Sequence, residues 1–399
     1  MLRDTLVEIT KSQKNNIQPK PGIIPREALA NISLQTPQAI IISGIRRCGK
    51  STLLRQIMNQ TGARCYFNFE DQRVMEFNVN DFENLTSALE EVYGPCEIHF
   101  FDEIQNVPGW ERFIRKSQDE GKRFVITGSN ASLLSKELGT KLTGRHLTYE
   151  LFPFSFKEYL ESKNKKPSAE SFEGYMKEGG FPEYLNTNNI DTLQELLLDL
   201  ITRDIVVRHG LREEKIIQQM AIYLISNTGK QFSYNSLAKQ FSLGSTNTAI
   251  SYVSYFEDSY ILFTIPRFDY SLKKQQISPR KVYSIDPALS AANSASFSKD
   301  KGRAFENIIF LHLRRKNKEI FYFKDRGECD FIVKQKEVIT QAIQVCYQLT
   351  EENKEREITG LKEAMAALKI KDGIILTNNQ EEQIDGIRAI PAWKWLAKE

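Results

Sequence analysis

The sequence is short of the groups that mark a metalloprotein or a disulfide-stapled scaffold. Its 399 residues include 4 histidines and 5 cysteines. The cysteines stand at 48, 65, 96, 329 and 346, odd in number, scattered, and without a C-x-x-C pair. No disulfide framework or zinc site is therefore expected, and a reducing cytoplasmic setting is. Long apolar runs are also missing. Nothing approaches the roughly 18 uninterrupted apolar residues of a membrane helix, so no membrane partner is expected. The opening stretch MLRDTLVEITKSQKNN is charged throughout and has no apolar h-region, so no signal peptide is read. A charge excess is lacking too. The formal net charge is +3, too small to make nucleic acid the default partner, so any such surface has to be a local patch.

What is present is a globular composition, 41% apolar and 26% charged, on a chain too long for one ordinary core. Two or three domains are expected. Residues 1–37 read as a polar lead-in with one short helix. From 38 to 151, apolar strands alternate with amphipathic helices. The strands are QAIIIS (38–43), ARCYFNF (63–69), EIHFFD (97–102), RFVITG (123–128) and HLTYEL (146–151). Helical patterns at 51–60, 81–92 and 110–120 lie between them. Strands that are nearly all apolar and separated by helices predict a parallel sheet covered on both faces. Residues 152–228 read as helical, with GGFPEYL (179–185) as a turn between helices. The remainder mixes short helices and strands, with a clear amphipathic helix at 355–368.

The segment GIRRCGKS (44–51) fits G-x-x-x-x-G-K-[ST] without departure, after a strand and at the start of a helix. Gly44 and Gly49 let the backbone wrap closely on phosphate oxygens. The N–H groups of Ile45, Arg46, Arg47, Cys48 and the helix start through Thr52 donate to the anion. Lys50 is positioned for the β- and γ-phosphates of ATP, and Ser51 offers a hydroxyl to Mg²⁺. The strand EIHFFDEIQ ends in two acids. Asp102 is expected to hold Mg²⁺ through water and Glu103 to polarise the attacking water. RFVITGSN presents Ser129 and Asn130 at another strand end, where a polar group reaches the γ-phosphate or the water; a helix N-cap is the competing explanation. Arg145, in LTGRH, is a candidate arginine finger for a neighbouring subunit's nucleotide, against the plainer reading of a surface arginine.

These segments, with LFPFSFKEYL, GGFPEYL and RDIVVRH following in order, resemble a large prokaryotic family of AAA-type ATP-binding proteins. The resemblance implies a P-loop NTPase parallel sheet with helices on both faces. A helical lid and winged helix follow, then an α/β C-terminal domain of unknown function akin to the PD-(D/E)xK nucleases. It implies ATP binding and hydrolysis, a homo-oligomer with a hexamer as the candidate number, and association with DNA. The expected domains are 1–152, 153–228, 229–290 and 291–399.

Residues 232–261 have a helix-turn-helix rhythm, with Phe232, Leu237 and Phe241 packing one helix and Ala249, Ile250, Val253 and Phe256 the next. Thr246, Asn247, Ser251 and Tyr252 are of the types that suit groove contacts. A basic loop with Arg267, Lys273, Lys274, Arg280 and Lys281 then reads as a wing on DNA phosphates, although such modules also serve as lids or docking sites. Arg203 is a candidate nucleotide sensor, with an Arg–Asp structural pair the alternative. In the last domain a PD-(D/E)xK core needs acids on a helix and two strands plus a lysine. Glu306 and Asp330 are there, but Gln344 stands where the second acid belongs and Cys346 where the lysine belongs. No nuclease activity is expected. The leading reading is an oligomeric, Mg-dependent, DNA-associated ATPase that translocates along or remodels DNA, branched DNA included. The alternative is an ATP/ADP-controlled switch with a protein partner.

Overall fold

Five strands form the centre of the first unit; the first four are apolar and largely buried, whereas the fifth is a half-buried edge strand with Leu147 39% exposed. They are β1 (Ala39–Ser43), β2 (Cys65–Asn68), β3 (Ile98–Asp102), β4 (Arg123–Gly128) and β5 (His146–Glu150). The structure is a computed structural model that describes residues 1–17, 22–62, 65–129, 142, 144–294 and 301–398. Two units are distinguished, Met1–Phe152 and Pro153–Glu399. In the first, the sheet order is β2-β3-β4-β1-β5 and every pairing is parallel. All C-terminal strand ends therefore lie on one edge, where loops from different strands converge. Helices α1 (Arg3–Asn16), α2 (Lys50–Thr61), α3 (Phe82–Tyr93) and α4 (Trp110–Asp119) accompany the sheet. α2 ends at Gly62, whose φ of 68° supplies the left-handed turn that side chains resist.

One expectation is corrected here. The lead-in is not merely polar: α1 buries Leu6, Val7 and Ile9 in the same core as Phe67, Phe82, Leu85 and Ile114. Its apolar residues recur at helical spacing, and that amphipathic face is what docks it against α3 and β2. Cys65 and Cys96 form a single pair, with Cα atoms 6.0 Å apart, because β2 and β3 are neighbours and both residues lie near their N-terminal ends.

The second unit opens with helices Phe156–Ser162, Ala169–Glu178, Pro182–Thr187 and Asp191–Asp199. The last runs into a π-helix, Leu200–Val207. Ser155 and Ser168 cap the first two through reciprocal capping boxes. GGFPEYL is a tight passage: a Cβ on Gly180 would lie 2.4 Å from the Phe154 carbonyl oxygen, so only glycine fits. Next come helix Glu214–Ser226, β6 (Gln231–Phe232), helices Tyr234–Gln240 and Thr246–Asp258, β7 (Leu262–Pro266), helix Leu272–Ile277 and β8 (Arg280–Ser284). β8 lies between β6 and β7 in a three-stranded antiparallel sheet. Beyond helix Lys301–Lys316, β9 (Glu319–Lys324), β10 (Glu328–Gln335), β11 (Val338–Val345), β12 (Gly373–Thr377), β13 (Glu382–Ile384) and β14 (Ile387–Pro391) build a mixed six-stranded sheet. Its order is β13-β14-β12-β11-β10-β9. Helix Lys354–Leu368 packs on it. No helix among the described residues is long and apolar enough to cross a membrane.

Candidate nucleotide site

The loop from Gly44 to Gly49 leaves β1 and enters α2 at the C-terminal edge of the sheet. Gly49 has φ 101°, and a Cβ on Gly44 would lie 2.1 Å from the Leu151 carbonyl oxygen. Both positions demand glycine for local backbone reasons. Lys50 is buried, and its Nζ donates to the carbonyl oxygens of Gly44 at 3.1 Å and Ile45 at 3.2 Å. It also pairs with Glu103 at 3.5 Å. Burial works against its charge, but Glu103 first, then Cys48 and Asp102, outweigh burial and raise its pKa. An ammonium is thus held charged inside the β1–α2 loop.

Asp102 ends β3 and is 2% exposed. It accepts from Tyr66 Oη at 3.1 Å, from the Thr127 hydroxyl and from Ser51. Burial, then the neighbouring Glu103, push its pKa up, and the three hydroxyl donors offset part of that. Glu103 follows with φ 53°, a left-handed conformation unusual for a side chain with a Cβ. Its N–H is held by Thr127 Oγ1 at 3.0 Å. Burial opposes its ionisation, yet Lys50 and then Gln105 hold its pKa below the ordinary carboxylate range. Gln105 Nε2 donates to Glu103 and, at 3.2 Å, to Ser129 Oγ. Lys50, Glu103, Gln105 and Ser129 therefore form one connected polar chain across three strand ends. The Ser51 hydroxyl beside the Asp102 carboxylate is a hard-oxygen pair of the kind Mg²⁺ takes alongside phosphate oxygens. Among the described residues no group of three or more His, Cys, Asp or Glu could hold a metal by itself. A magnesium ion here fits only as part of a nucleotide complex.

The structure brings together Gly44, Gly49, Lys50, Ser51, Asp102, Glu103 and Ser129. Arg46, in the same loop, pairs with Glu70 at 3.3 Å, and Arg47 turns the loop with φ 62°. Cys48 is fully buried, its Sγ 3.4 Å from the Leu151 carbonyl oxygen. Asn130 lies outside the described residues. Arg145 is not brought to this site. It precedes β5, whose His146 pairs with Ala39 at the opposite end of β1, and it is ion-paired with Asp119.

Three contributors escape a reading of the sequence alone. Thr127 links both acids through one hydroxyl; its signal is a lone polar residue in the apolar run RFVITG. Tyr66 caps Asp102 from β2. Arg26 comes from the lead-in, is 3% exposed, and donates to the carbonyl oxygens of Cys48 at 2.6 Å and Phe152 at 2.7 Å. Gln56 of α2 clips this segment down, accepting from Arg26 N at 3.1 Å and donating to Ile24 O at 2.8 Å. Nothing in the pattern PREALA signals this.

In the second unit Thr246, Asn247, Lys273 and Lys274 are exposed. Arg280 is half-buried, its Nε donating to Thr264 Oγ1 at 2.9 Å. Three expectations fail. Lys281 is 2% exposed and faces Glu306, Glu328 and Asp330, because β8 is the central strand of its sheet and turns this side chain inward. It cannot lie on DNA. Tyr252 is buried with its hydroxyl on Glu213, because its helix turns that position onto the preceding segment. Ile250 is 42% exposed rather than core. Arg203 pairs one helical turn back with Asp199 at 3.4 Å, the structural alternative. Gln344 accepts from Asp330 N at 3.3 Å and donates to Glu357, while Cys346 donates to Gln348 O at 3.2 Å.

A parallel sheet with a phosphate loop after β1 and paired acids after β3 defines the first unit as a nucleotide-binding, AAA-type P-loop ATPase domain. Residues 36–160 match the AAA domain family AAA_14. Residues 169–300 and 301–395 match two domains of unknown function, DUF8612 and DUF4143. An uncharacterized protein of Methanocaldococcus jannaschii is 36% identical over 418 residues, covering 95% of this chain and 92% of that one. The chain belongs to the same family as this archaeal protein. A second uncharacterized protein, from Haemophilus influenzae, is 29% identical over 389 residues, covering 89% and 93%. Among solved structures the chain is similar to the Walker-type ATPase of Pyrococcus abyssi, at TM-score 0.44 and 17% identity, covering 68% of this chain and 96% of that one.

Proposed function

We propose that this chain hydrolyses Mg·ATP at the β1–α2 loop and uses the cycle, as a cytoplasmic homo-oligomer, to move along or remodel DNA. The observation that carries the hydrolytic part is the hydrogen-bonded set Lys50, Glu103, Thr127, Asp102 and Ser51 at one sheet edge. In this reading the loop N–H groups and Lys50 bind the β- and γ-phosphates. Ser51 directly, and Asp102 through water, hold Mg²⁺, which when bound neutralises charge developing between the β- and γ-oxygens. Glu103 orients the attacking water. With its pKa held low it is a weak base, so alignment is its main contribution. Ser129, and Asn130 beside it in sequence, complete the γ-phosphate side. Arg145, remote from its own loop, can act only on a neighbouring subunit's nucleotide.

Support for DNA comes from the second unit. Its run of helix, β6, two helices, β7, basic loop and β8, with β8 central in the sheet, has the layout of a winged helix. Thr246 and Asn247 open the exposed start of its second helix, and Lys273 and Lys274 stand exposed on the wing. Division of this unit at 228 and 290 into lid, winged helix and C-terminal domain belongs to the same reading, with the last inactive as a nuclease. The test is steady-state ATPase activity with single-stranded, duplex and four-way-junction DNA at two salt concentrations, with Lys50→Ala as blank. Strong stimulation by one form, weakened by salt, is expected. Slow hydrolysis indifferent to every DNA form would replace this reading with an ATP/ADP switch acting on a protein partner.

A further inference from the structure

The second unit contains a buried charge cluster that the ATP and DNA readings do not use. Lys281 leaves β8 with a side chain 3% exposed. Its Nζ lies 2.8 Å from Asp330 Oδ1, 2.8 Å from Glu328 Oε1 and 3.3 Å from Glu306 Oε1. An ammonium has three N–H donors, and here each faces one carboxylate. The acids come from separate elements: Glu306 from helix Lys301–Lys316, Glu328 and Asp330 from β10. Each carboxylate has a further donor, on the same oxygen for Glu306 and on the outer oxygen for Glu328 and Asp330. Tyr283, two residues along β8 on the same face, donates to Glu306 Oε1 at 2.7 Å. Gln231 of β6 donates to Glu328 Oε2 at 3.2 Å, and Val345 N donates to Asp330 Oδ2 at 2.9 Å. Gly229, with φ 78°, lies so close that an added Cβ would sit 2.8 Å from Glu306 Oε2.

Carboxylates from a helix and a strand that converge on one cation are the arrangement in which a divalent metal is held for phosphodiester chemistry. Here the cation at the centre is a side chain. We propose that Lys281 is the resident cation of this cluster. Its ammonium occupies the place a divalent ion would take, so the native unit binds no metal there and carries a latent divalent-cation site that opens only when Lys281 is removed. Distances support this. Nitrogen-to-oxygen separations of 2.8–3.3 Å suit an ammonium but are wider than the roughly 2.0–2.6 Å of Mg²⁺ or Ca²⁺ ligation. As they stand around the ammonium, no three or more His, Cys, Asp or Glu among the described residues are placed to hold a metal, so the carboxylates have to draw together before an ion is ligated there. Charge supports it as well, because three carboxylates meeting without a central cation would repel one another strongly in a buried setting. The second consequence is mechanical: the ion cluster fastens β8 of the three-stranded sheet to β10 of the six-stranded one.

The inference stands apart from the ATPase reading and is tested without nucleotide. Full-length protein carrying Asp102→Asn, which removes the loop's own metal partner, is compared with the same protein carrying Lys281→Met. Thermal midpoints and Tb³⁺ luminescence are recorded against Mn²⁺ and Tb³⁺. The parent is expected to show neither a Mn²⁺-dependent shift nor sensitised Tb³⁺ emission. Lys281→Met is expected to melt lower and to regain roughly 5–10 °C when saturated with Mn²⁺, with Tb³⁺ emission appearing. Adding Asp330→Asn should abolish both gains. If Lys281→Met alone does not fold, Lys281→Met with Glu328→Gln relieves the repulsion and is measured in its place. Tb³⁺ binding by the parent that is lost with Asp330→Asn would overturn the proposal. So would folded Lys281 variants whose midpoints ignore Mn²⁺.

Discussion

Replacing Arg26 by Met tests how the phosphate loop keeps its shape. The guanidinium is 3% exposed and serves two buried carbonyl oxygens, Cys48 at 2.6 Å and Phe152 at 2.7 Å. Methionine fills similar volume but donates nothing, so both oxygens lose a charged donor. A buried acceptor left unsatisfied costs about 1–3 kcal/mol, which gives about 2–6 kcal/mol for the pair. Water entering beside Cys48 would bring the loss toward the lower half, near 3 kcal/mol. For a unit of this size about 2–4 °C of melting temperature accompanies each kcal/mol, so a fall of roughly 6–12 °C is expected. Cys48 adjoins Gly49 and Lys50, so part of the cost falls on nucleotide binding. A loss of about 1.4 kcal/mol there weakens affinity tenfold. Differential scanning calorimetry and titration with a fluorescent ATP analogue measure the two quantities. Arg26→Lys, which keeps one donor and the charge, should recover about half the stability. An Arg26→Met protein with unchanged midpoint and unchanged affinity would refute the reasoning.

Four further outcomes are expected. His99 is 1% exposed on β3, its ring packed against Phe101 and Phe124. Burial, then Lys122, lower its pKa from 6.5 to about 4. The unfolded chain takes up this proton first, so the contribution is complete above pH 6.5 and is lost as pH falls toward 4. It amounts to about 3 kcal/mol, which His99→Phe should remove from the acid side of a melting-temperature profile. Glu103→Gln should retain ATP binding while turnover falls by about 10²-fold or more; undiminished hydrolysis would remove Glu103 from the mechanism. Arg145→Ala should leave ATP binding intact and cut turnover by about 10³-fold or more if it serves a neighbouring subunit; retained turnover makes its pairing with Asp119 its whole role. Lys273→Glu with Lys274→Glu should flatten the salt dependence of DNA-stimulated turnover by about 0.9 in log–log slope for each DNA phosphate no longer neutralised.

The nucleotide loop was legible because its chemistry is local. Gly44, Gly49, Lys50 and Ser51 act through a backbone turn and a helix start that span only a few residues. The strands could be read because apolar runs between helices admit one kind of sheet. Asp102 and Glu103 were legible for the same reason, as the polar end of such a run. The sheet order β2-β3-β4-β1-β5 was not, because crossover paths leave no mark on any single strand. That order places Thr127 of β4 against both acids of β3, and Tyr66 of β2 against Asp102. Arg26 reaches across 126 residues to Phe152, a pairing no local spacing encodes. Lys281 shows the limit most plainly. By composition it belonged with Lys273 and Lys274 as one more cation of a basic wing. The tertiary structure separates them, because Lys273 and Lys274 lie on a short exposed helix while Lys281 faces inward from the central strand of its sheet. Charge is a property of the residue, whereas burial and the choice of partner belong to the fold.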